Sequence, residues 1–300
     1  MKYAVGIDIG GSNTRVALVD ENLNLVDRIQ FQTNTQDPME TFKKIADTIA
    51  LFDQKPVGIG LSCPGPLDLI NGHIIETPNL GQAWWGLNIP DTITKLTGLP
   101  CWLENDANLA GLAEAVAGDG KDKRYVQFLT ISTGLGSGQV IDKKIVNGAH
   151  GFAHEVANAI VWRDGPQHGA LKPGAIEAVA SGTAITKRAQ ARGLDVKHAG
   201  EVNDLAAAGN ADAIEVMNDA KDYLANFIAT LIAVTDPEIV ILGGSVAMKI
   251  DGFVKDVEDR VKEIVFAPVR PYVDIRPSSL SEDSGLLGAA YLAFSNSGTL

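Results

Sequence analysis

Apolar residues follow two different periods along this chain, and the places where the period changes carry most of the information. Tyr3-Ala4-Val5-Gly6-Ile7-Asp8-Ile9 is a nearly continuous apolar run that ends in Gly10-Gly11-Ser12-Asn13; a second apolar run at 16–19 and a polar turn at 20–24 follow. The pattern predicts strand, glycine turn, strand, turn, third strand. Residues 126–131, then Thr133-Gly134-Leu135-Gly136-Ser137-Gly138, Val140-Ile141 and a turn at Asp142-Lys143-Lys144 repeat it, so the two segments read as distant copies of one unit. A tight glycine turn lets backbone N–H groups approach an anion closely. Two such units facing each other would grip one polyphosphate from both sides. The second turn is not a dinucleotide fingerprint, because an apolar strand rather than a helix follows it, and no Walker A sequence occurs.

Helical spacing governs most of the rest. Phe42, Ile45, Ile49 and Phe52 share one face of a helix predicted over 39–52. Pro90 and Gly98 stand where a helix starts and stops. Residues 99–103 read as a buried strand and 106–117 as an alanine-rich helix closed by Gly118. Further helices are expected at 175–192, 211–234, 246–265 and 285–294, with a strand at 238–242 leading into Gly243-Gly244 and a loose tail at 295–300. This alternation makes the chain α/β. A chain of 300 residues usually splits into two lobes. The expected boundary is Gly118-Asp119-Gly120-Lys121, giving an N-terminal lobe at 1–118 and a C-terminal lobe at 119–300, whose last helix could pack back on the first lobe.

Composition narrows the partners. With 37 Asp and Glu against 25 Lys and Arg, the net charge is -12, which disfavours nucleic acid and anionic membrane as partners. A nucleotide remains compatible, because backbone N–H groups hold phosphates locally; magnesium then becomes an expected ingredient to offset the field. The two cysteines, Cys63 and Cys101, provide neither a disulfide framework nor a zinc cluster. No signal-peptide core precedes the first strand. The longest apolar run, 223–235, is shorter than the roughly 20 residues a bilayer demands. A soluble, cytoplasmic protein is expected.

Two carboxylates are candidates for chemistry. Asp8 ends an apolar strand directly before Gly10-Gly11, where it could hold water on Mg²⁺ while turn amides hold phosphate oxygens; it also reads as a polar residue closing a strand. Asp106 follows a buried strand and opens a helix, between Asn105 and Asn108. That position suits an N-cap, and equally a carboxylate kept ionised by the helix N-terminus. Phosphoryl transfer has a loose transition state, so a weakly basic Asp suffices to orient a hydroxyl and take its proton late.

Gly6-Ile7-Asp8-Ile9-Gly10-Gly11-Ser12-Asn13-Thr14-Arg15, Pro64-Gly65-Pro66, Pro78-Asn79-Leu80, Glu104-Asn105-Asp106-Ala107-Asn108 and Ser132-Thr133-Gly134-Leu135-Gly136-Ser137-Gly138 occur in that order. Asn147-Gly148, Glu155, Glu177, Ser181-Gly182 and Gly243-Gly244-Ser245 follow. The ordered set resembles the ROK family (repressors, open reading frames, kinases) along nearly the whole chain. The resemblance implies an actin-like ATPase (ribonuclease H-like) fold of two lobes with a cleft between them. It further implies ATP- and Mg²⁺-dependent phosphorylation of a hexose or N-acetylhexosamine, usually at the 6-hydroxyl, by a homodimer. By the same resemblance Asp106 is the general base. Gly65, Asn79, Asn105, Glu155, Asn158 and Glu177 meet the sugar. Asp8, Gly10, Gly11, Ser12, Asn13, Thr133, Gly134, Gly243 and Gly244 meet the nucleotide, Asp8 through water on magnesium. The C-terminal stretches look most like N-acetylmannosamine kinases, and glucokinases share much of them. A sugar-sensing repressor would need a helix-turn-helix before the first strand, for which residues before Tyr3 leave no room. A non-catalytic sugar-binding relative is the remaining alternative, and intact Asp8 and Asp106 weigh against it.

One departure from the family stands out. Many members carry a structural zinc on a His and three Cys; here those positions fall on Asn158, His168, Ala170 and Ala175. One imidazole, even with His154 nearby, does not make a tetrahedral site, so no structural zinc is expected. A structural zinc contributes roughly 10 kcal/mol of local folding free energy. The 162–173 loop must therefore rely on packing and on Pro166 and Pro173, and is expected to order when sugar binds.

Overall fold

The computed structural model describes residues 1–77, 79–280 and 283–299. Pro78 of the Pro78-Asn79-Leu80 patch, Ser281 and Glu282 before the last helix, and Leu300 of the expected tail lie outside the described residues. The elements, in chain order, begin with β1 (Tyr3–Ile9), β2 (Asn13–Asp20), β3 (Leu25–Gln32), α1 (Pro38–Ala50), β4 (Ile59–Cys63), β5 (Leu67–Asp68) and β6 (His73–Ile74). Then come α2 (Ile89–Thr97), β7 (Cys101–Asn105), α3 (Asp106–Val116), β8 (Tyr125–Ile131), β9 (Leu135–Ile141) and β10 (Lys144–Ile145). The remainder is α4 (Ile176–Ala180), α5 (Gly182–Ala191), α6 (Ala199–Ala207), α7 (Ala211–Thr235), β11 (Ile239–Gly243), α8 (Gly244–Lys249), α9 (Phe253–Ile264), β12 (Ile275–Pro277) and α10 (Ser284–Asn296). Met1–Gly118, Lys143–Ala153 and Leu280–Leu300 form one compact unit, and Asp119–Asp142 with His154–Ser279 form the other. The division is therefore not a single cut after Gly118, since two later segments belong with the first unit.

In the first unit the strands lie in the order β3-β2-β1-β4-β7, with β1, β4 and β7 parallel and β1-β2-β3 antiparallel. Ala4, Val5 and Ile7 of β1 and Ile59, Leu61 and Cys63 of β4 are fully buried, as expected for parallel strands covered on both faces. One covering layer is α1 and α2, whose ends are written locally. Asp37 caps α1 through the amides of Met39 and Glu40; Asn88 caps α2, and Gly98 ends it in the left-handed region. The other layer is α10 with α3. It approaches so closely that a Cβ on Gly60 would stand 1.7 Å from the Ala289 carbonyl oxygen, and one on Gly288 would stand 2.0 Å from that of Leu109. Only glycine permits that contact. The expected loose tail is instead ordered at its start: α10 continues to Asn296, and the Thr299 amide donates to Phe294 O at 3.0 Å.

Within the second unit β9-β8-β11-β12 form the sheet, with β8-β9 antiparallel and β8-β11-β12 parallel. The 25-residue α7 is central to the core, burying Leu224, Ala225, Phe227, Ile228 and Ile232. Two expected helices are each broken. Ser181 turns extended (φ -69°, ψ 158°) and caps α5 through the Ala184 amide, splitting 175–192 into α4 and α5. Gly252, with φ 72°, separates α8 from α9 and splits 246–265. A helix absent from the sequence expectations, α6, lies between α5 and α7. Among the described residues no helix is long and apolar enough to cross a membrane.

Candidate active site

In the first unit the register of three parallel strands brings the two candidate carboxylates to one edge. Asp8 of β1 pairs with Ser62 of β4, and Cys63 pairs with Asn105 of β7. Asp8 and Asp106 therefore lie at the same C-terminal end of the sheet, on either side of β4. The buried Cys63 thiol reports both: burial, and then the charges of Asp106 and Asp8, push it well up.

Asp8 is held by its cross-strand partner. Arg15 of β2 donates from Nη2 at 2.5 Å and from Nε at 3.2 Å, both to Oδ2. The turn after Asp8 closes when the Gly10 amide donates to Asn13 O at 2.9 Å, and Thr33 Oγ1 donates to Gly10 O at 2.7 Å. Gly11 faces Asn79, where a Cβ would stand 2.3 Å from the Asn79 carbonyl oxygen. The turn that carries candidate phosphate amides thus packs on a candidate sugar residue. Gly65 lies two residues beyond the end of β4.

The cap of α3 is Asn105, not Asp106: Asn105 Oδ1 accepts from the Ala107 amide at 2.9 Å. Asp106 is the first helical residue, exposed, with its own Oδ1 2.8 Å from the same amide. Glu104, outside the expected site set and 2% exposed, anchors the segment. It accepts from the Asn105 amide at 2.8 Å, Asn108 Nδ2 at 2.9 Å and Asn147 Nδ2 at 2.8 Å.

In the second unit the β8–β9 turn carries Thr133 and Gly134. Glu177, in the first turn of α4, accepts the Leu135 amide hydrogen at Oε2, 2.7 Å away. A Cβ on Gly134 would stand 2.7 Å from that same oxygen, so the glycine makes room for the contact. The amides of Ile176 and Glu177 donate back to Ala159 O and Ala157 O, which places Glu155, Asn158 and Glu177 on one small hairpin. Desolvation raises the Glu155 carboxyl above the usual glutamate range although the residue is more than a third exposed. His154 before it sits at φ 69°, a conformation costing on the order of 1 kcal/mol or more for a non-glycine residue. Burial pushes its imidazole pKa down. Asn158 Oδ1 is committed to the Lys172 amide at 2.9 Å.

Beside Thr133 lies a cavity of about 740 Å³ between α5, α6 and α8, bordered by Ser132, Ser245, Lys187, Lys197, His198 and Asp204. Ser245 continues directly from Gly243-Gly244, and Gly244 (φ +85°) presses so close that a Cβ would meet the Ile131 oxygen at 2.4 Å. Lys187 on α5, and Lys197 and His198 in the bend before α6, went unnoticed in the sequence because no motif surrounds them.

The ROK family model matches residues 4–296, and the chain belongs to that family. It has the family's actin-like ATPase fold. A glucokinase of Thermotoga maritima is 30% identical over 95% of each chain. An N-acetylmannosamine kinase of Citrobacter koseri is 33% identical, over 96% of this chain and 98% of the relative. Among solved structures, a ROK hexokinase from Thermus thermophilus superposes with a TM-score of 0.88 at 28% identity, covering 98% of this chain and 99% of that one. A ROK glucokinase from Streptomyces griseus in complex with glucose and AMPPNP gives 0.74 at 26%, covering 98% and 99%.

Proposed function

We propose that this chain is an ATP-dependent sugar kinase that phosphorylates a hexose or N-acetylhexosamine at its 6-hydroxyl, with Asp106 as general base. The observation that carries this reading is the shared strand edge of Asp8 and Asp106, where Asn105 rather than Asp106 performs the capping. The α3 N-terminus favours negative charge at Asp106, and a carboxylate there would orient the 6-hydroxyl and take its proton as the bond to phosphorus forms. Asn105, its Oδ1 occupied, would offer Nδ2 to a sugar hydroxyl. Glu155 would accept hydrogen bonds from ring hydroxyls, and Glu177 would do so through the oxygen not held by Leu135.

Asp8 fits a hydrated magnesium: Arg15 donates to its Oδ2, which leaves Oδ1 to face a metal-bound water, and Mg²⁺ commonly keeps several waters. Bound there, magnesium would neutralise charge on the β- and γ-phosphates. The Gly10–Asn13 and Thr133–Gly134 turns would supply amides to phosphate oxygens, and the cavity beside Thr133 has the size and cationic rim for a nucleoside. The names and ligands of the kinases above support this reading.

The test is ADP release over a panel including glucose, mannose, N-acetylglucosamine and N-acetylmannosamine, with Asp106→Asn as control. Loss of a positioned base is expected to cost about 10²- to 10⁴-fold in kcat. Near wild-type turnover in that variant would remove the base assignment, and no turnover on any sugar would remove the kinase reading.

A further inference from the structure

The hairpin that carries Glu155, Asn158 and Glu177 is closed by side chains far apart in sequence, and Trp162 is at the centre of the closure. The amides of Val161 and Trp162 both donate to Gly174 O, at 2.9 and 3.2 Å. The Gly165 amide donates to Trp162 O at 3.0 Å, and that of Gly174 to Pro166 O at 2.8 Å. Gly174, at φ +72°, lies so close that a Cβ would stand 1.6 Å from Trp162 O; on Gly165 it would stand 2.8 Å from Trp162 Cγ. The loop is wrapped around this residue.

The indole ring is fixed in turn from outside the loop. It stacks on Tyr223 of α7, centroids 4.7 Å apart and planes 13° apart. Arg188 of α5 lies over it, its guanidinium carbon 5.4 Å from the ring centroid. Arg188 is itself held by Asp219 of α7, and donates to Val179 O at 3.2 Å and Val216 O at 3.4 Å. Val179 is two residues beyond Glu177 on α4, so one guanidinium ties the ring to the helix that presents Glu177.

The donor atoms at the family's zinc positions do not fit a metal. Asn158 is spent on Lys172, His168 Nδ1 faces Lys187 Nζ at 3.1 Å, and Ala170 and Ala175 have no ligating atom. We propose that the Trp162–Tyr223–Arg188 stack, with the Asn158–Lys172 bond, is a metal-free clamp that holds the sugar-side hairpin in place, and that Trp162 is its positioning residue. The proposal rests on the reading of Glu155 and Glu177 as sugar ligands. With the clamp built into the protein, the hairpin would be ordered before sugar arrives, where the sequence alone led to the expectation that sugar orders it.

The test compares full-length wild type, Trp162→Leu and Trp162→Phe, with metal analysis of the purified protein. Hydrogen exchange of amides 158–174 without any substrate should rise at least about tenfold in Trp162→Leu and return toward wild type in Trp162→Phe. In steady state the leucine variant should raise KM for sugar by about tenfold, with kcat within about twofold. Unchanged exchange in Trp162→Leu, or one equivalent of zinc whose removal loosens 158–174, would overturn the clamp. The exchange arm reads out even if no sugar on the panel turns over, so a failed kinase reading is told apart from a failed clamp. A variant too unstable to purify as leucine would be replaced by Tyr223→Leu, with the same expected exchange.

Discussion

The Glu177 carboxylate accepts the Leu135 amide hydrogen at 2.7 Å, tying the residue proposed to hold sugar to the turn proposed to hold phosphate. A group with both duties leaves a kinetic signature that a simple sugar ligand does not. Hydrogen bonds to a charged group contribute about 1.5–3 kcal/mol. Glu177→Ala should therefore raise KM for both ATP and sugar by about tenfold or more, whereas Glu155→Ala should raise only that for sugar. Initial rates with both substrates varied would separate the two patterns.

Glu155 should make sugar binding sensitive to acid. Desolvation raises its carboxyl pKa, so the folded protein holds that proton to higher pH than the unfolded chain does. Its contribution to stability is full below the unfolded value and is lost as pH rises through the folded one. At neutral pH the ionised carboxylate thus opposes folding. Glu155→Gln should melt slightly higher than wild type at pH 7, by roughly 2 °C or less for so exposed a group. The difference should close as pH falls through the raised value. In the wild type, KM for sugar should climb on acidification from a pH above the usual glutamate range. Melting curves and KM measured from pH 4 to 8 would check both.

The Arg15–Asp8 pair should set the magnesium requirement. Both side chains are only partly exposed, 23% and 17%, so solvent screens the pair less than it would at an open surface. Arg15→Met should lower the magnesium concentration for half-maximal rate by about three- to tenfold, because one competing positive charge is gone. It should also cost on the order of 1 kcal/mol of stability. A magnesium titration at fixed ATP, paired with urea unfolding, would show whether the two effects occur together.

Gly60→Ala should be among the costliest single-methyl additions in the first unit. The new Cβ would sit 1.7 Å from the Ala289 carbonyl oxygen, a backbone atom that cannot swing aside. Overpacking of that kind costs about 3 kcal/mol or more. Urea unfolding should show it, while Gly86→Ala, with nothing within 4 Å but φ +75°, should show only the smaller backbone strain.

Helix ends were legible where a local signal coincided with the end of the apolar spacing. Pro90 and Gly98 mark the start and stop of α2 by chemistry that acts within a few residues. The breaks at Ser181 and Gly252 had signals too, a Ser-Gly pair and a lone glycine, but their apolar spacing continued across them and predicted single helices. α6 stayed hidden because it buries only Ala199 and Val202 along its length, too little periodicity to register. The third strand of the second repeat shrank to two residues at β10.

What the sequence determined by itself is what depends on neighbours along the chain: the two glycine turns, the carboxylates that follow strands, and the family that their order identifies. Tertiary structure decided which groups those carboxylates meet. Asp8 meets Arg15 and Glu177 meets Leu135, while the hairpin's lock pairs Trp162 with a tyrosine on α7 and an arginine on α5. These partners are separated by many residues, and their contact comes from strand register and from backbone approaches that only glycine allows. No periodicity encodes such distances, because a residue's spacing specifies its face and not the side chain waiting there.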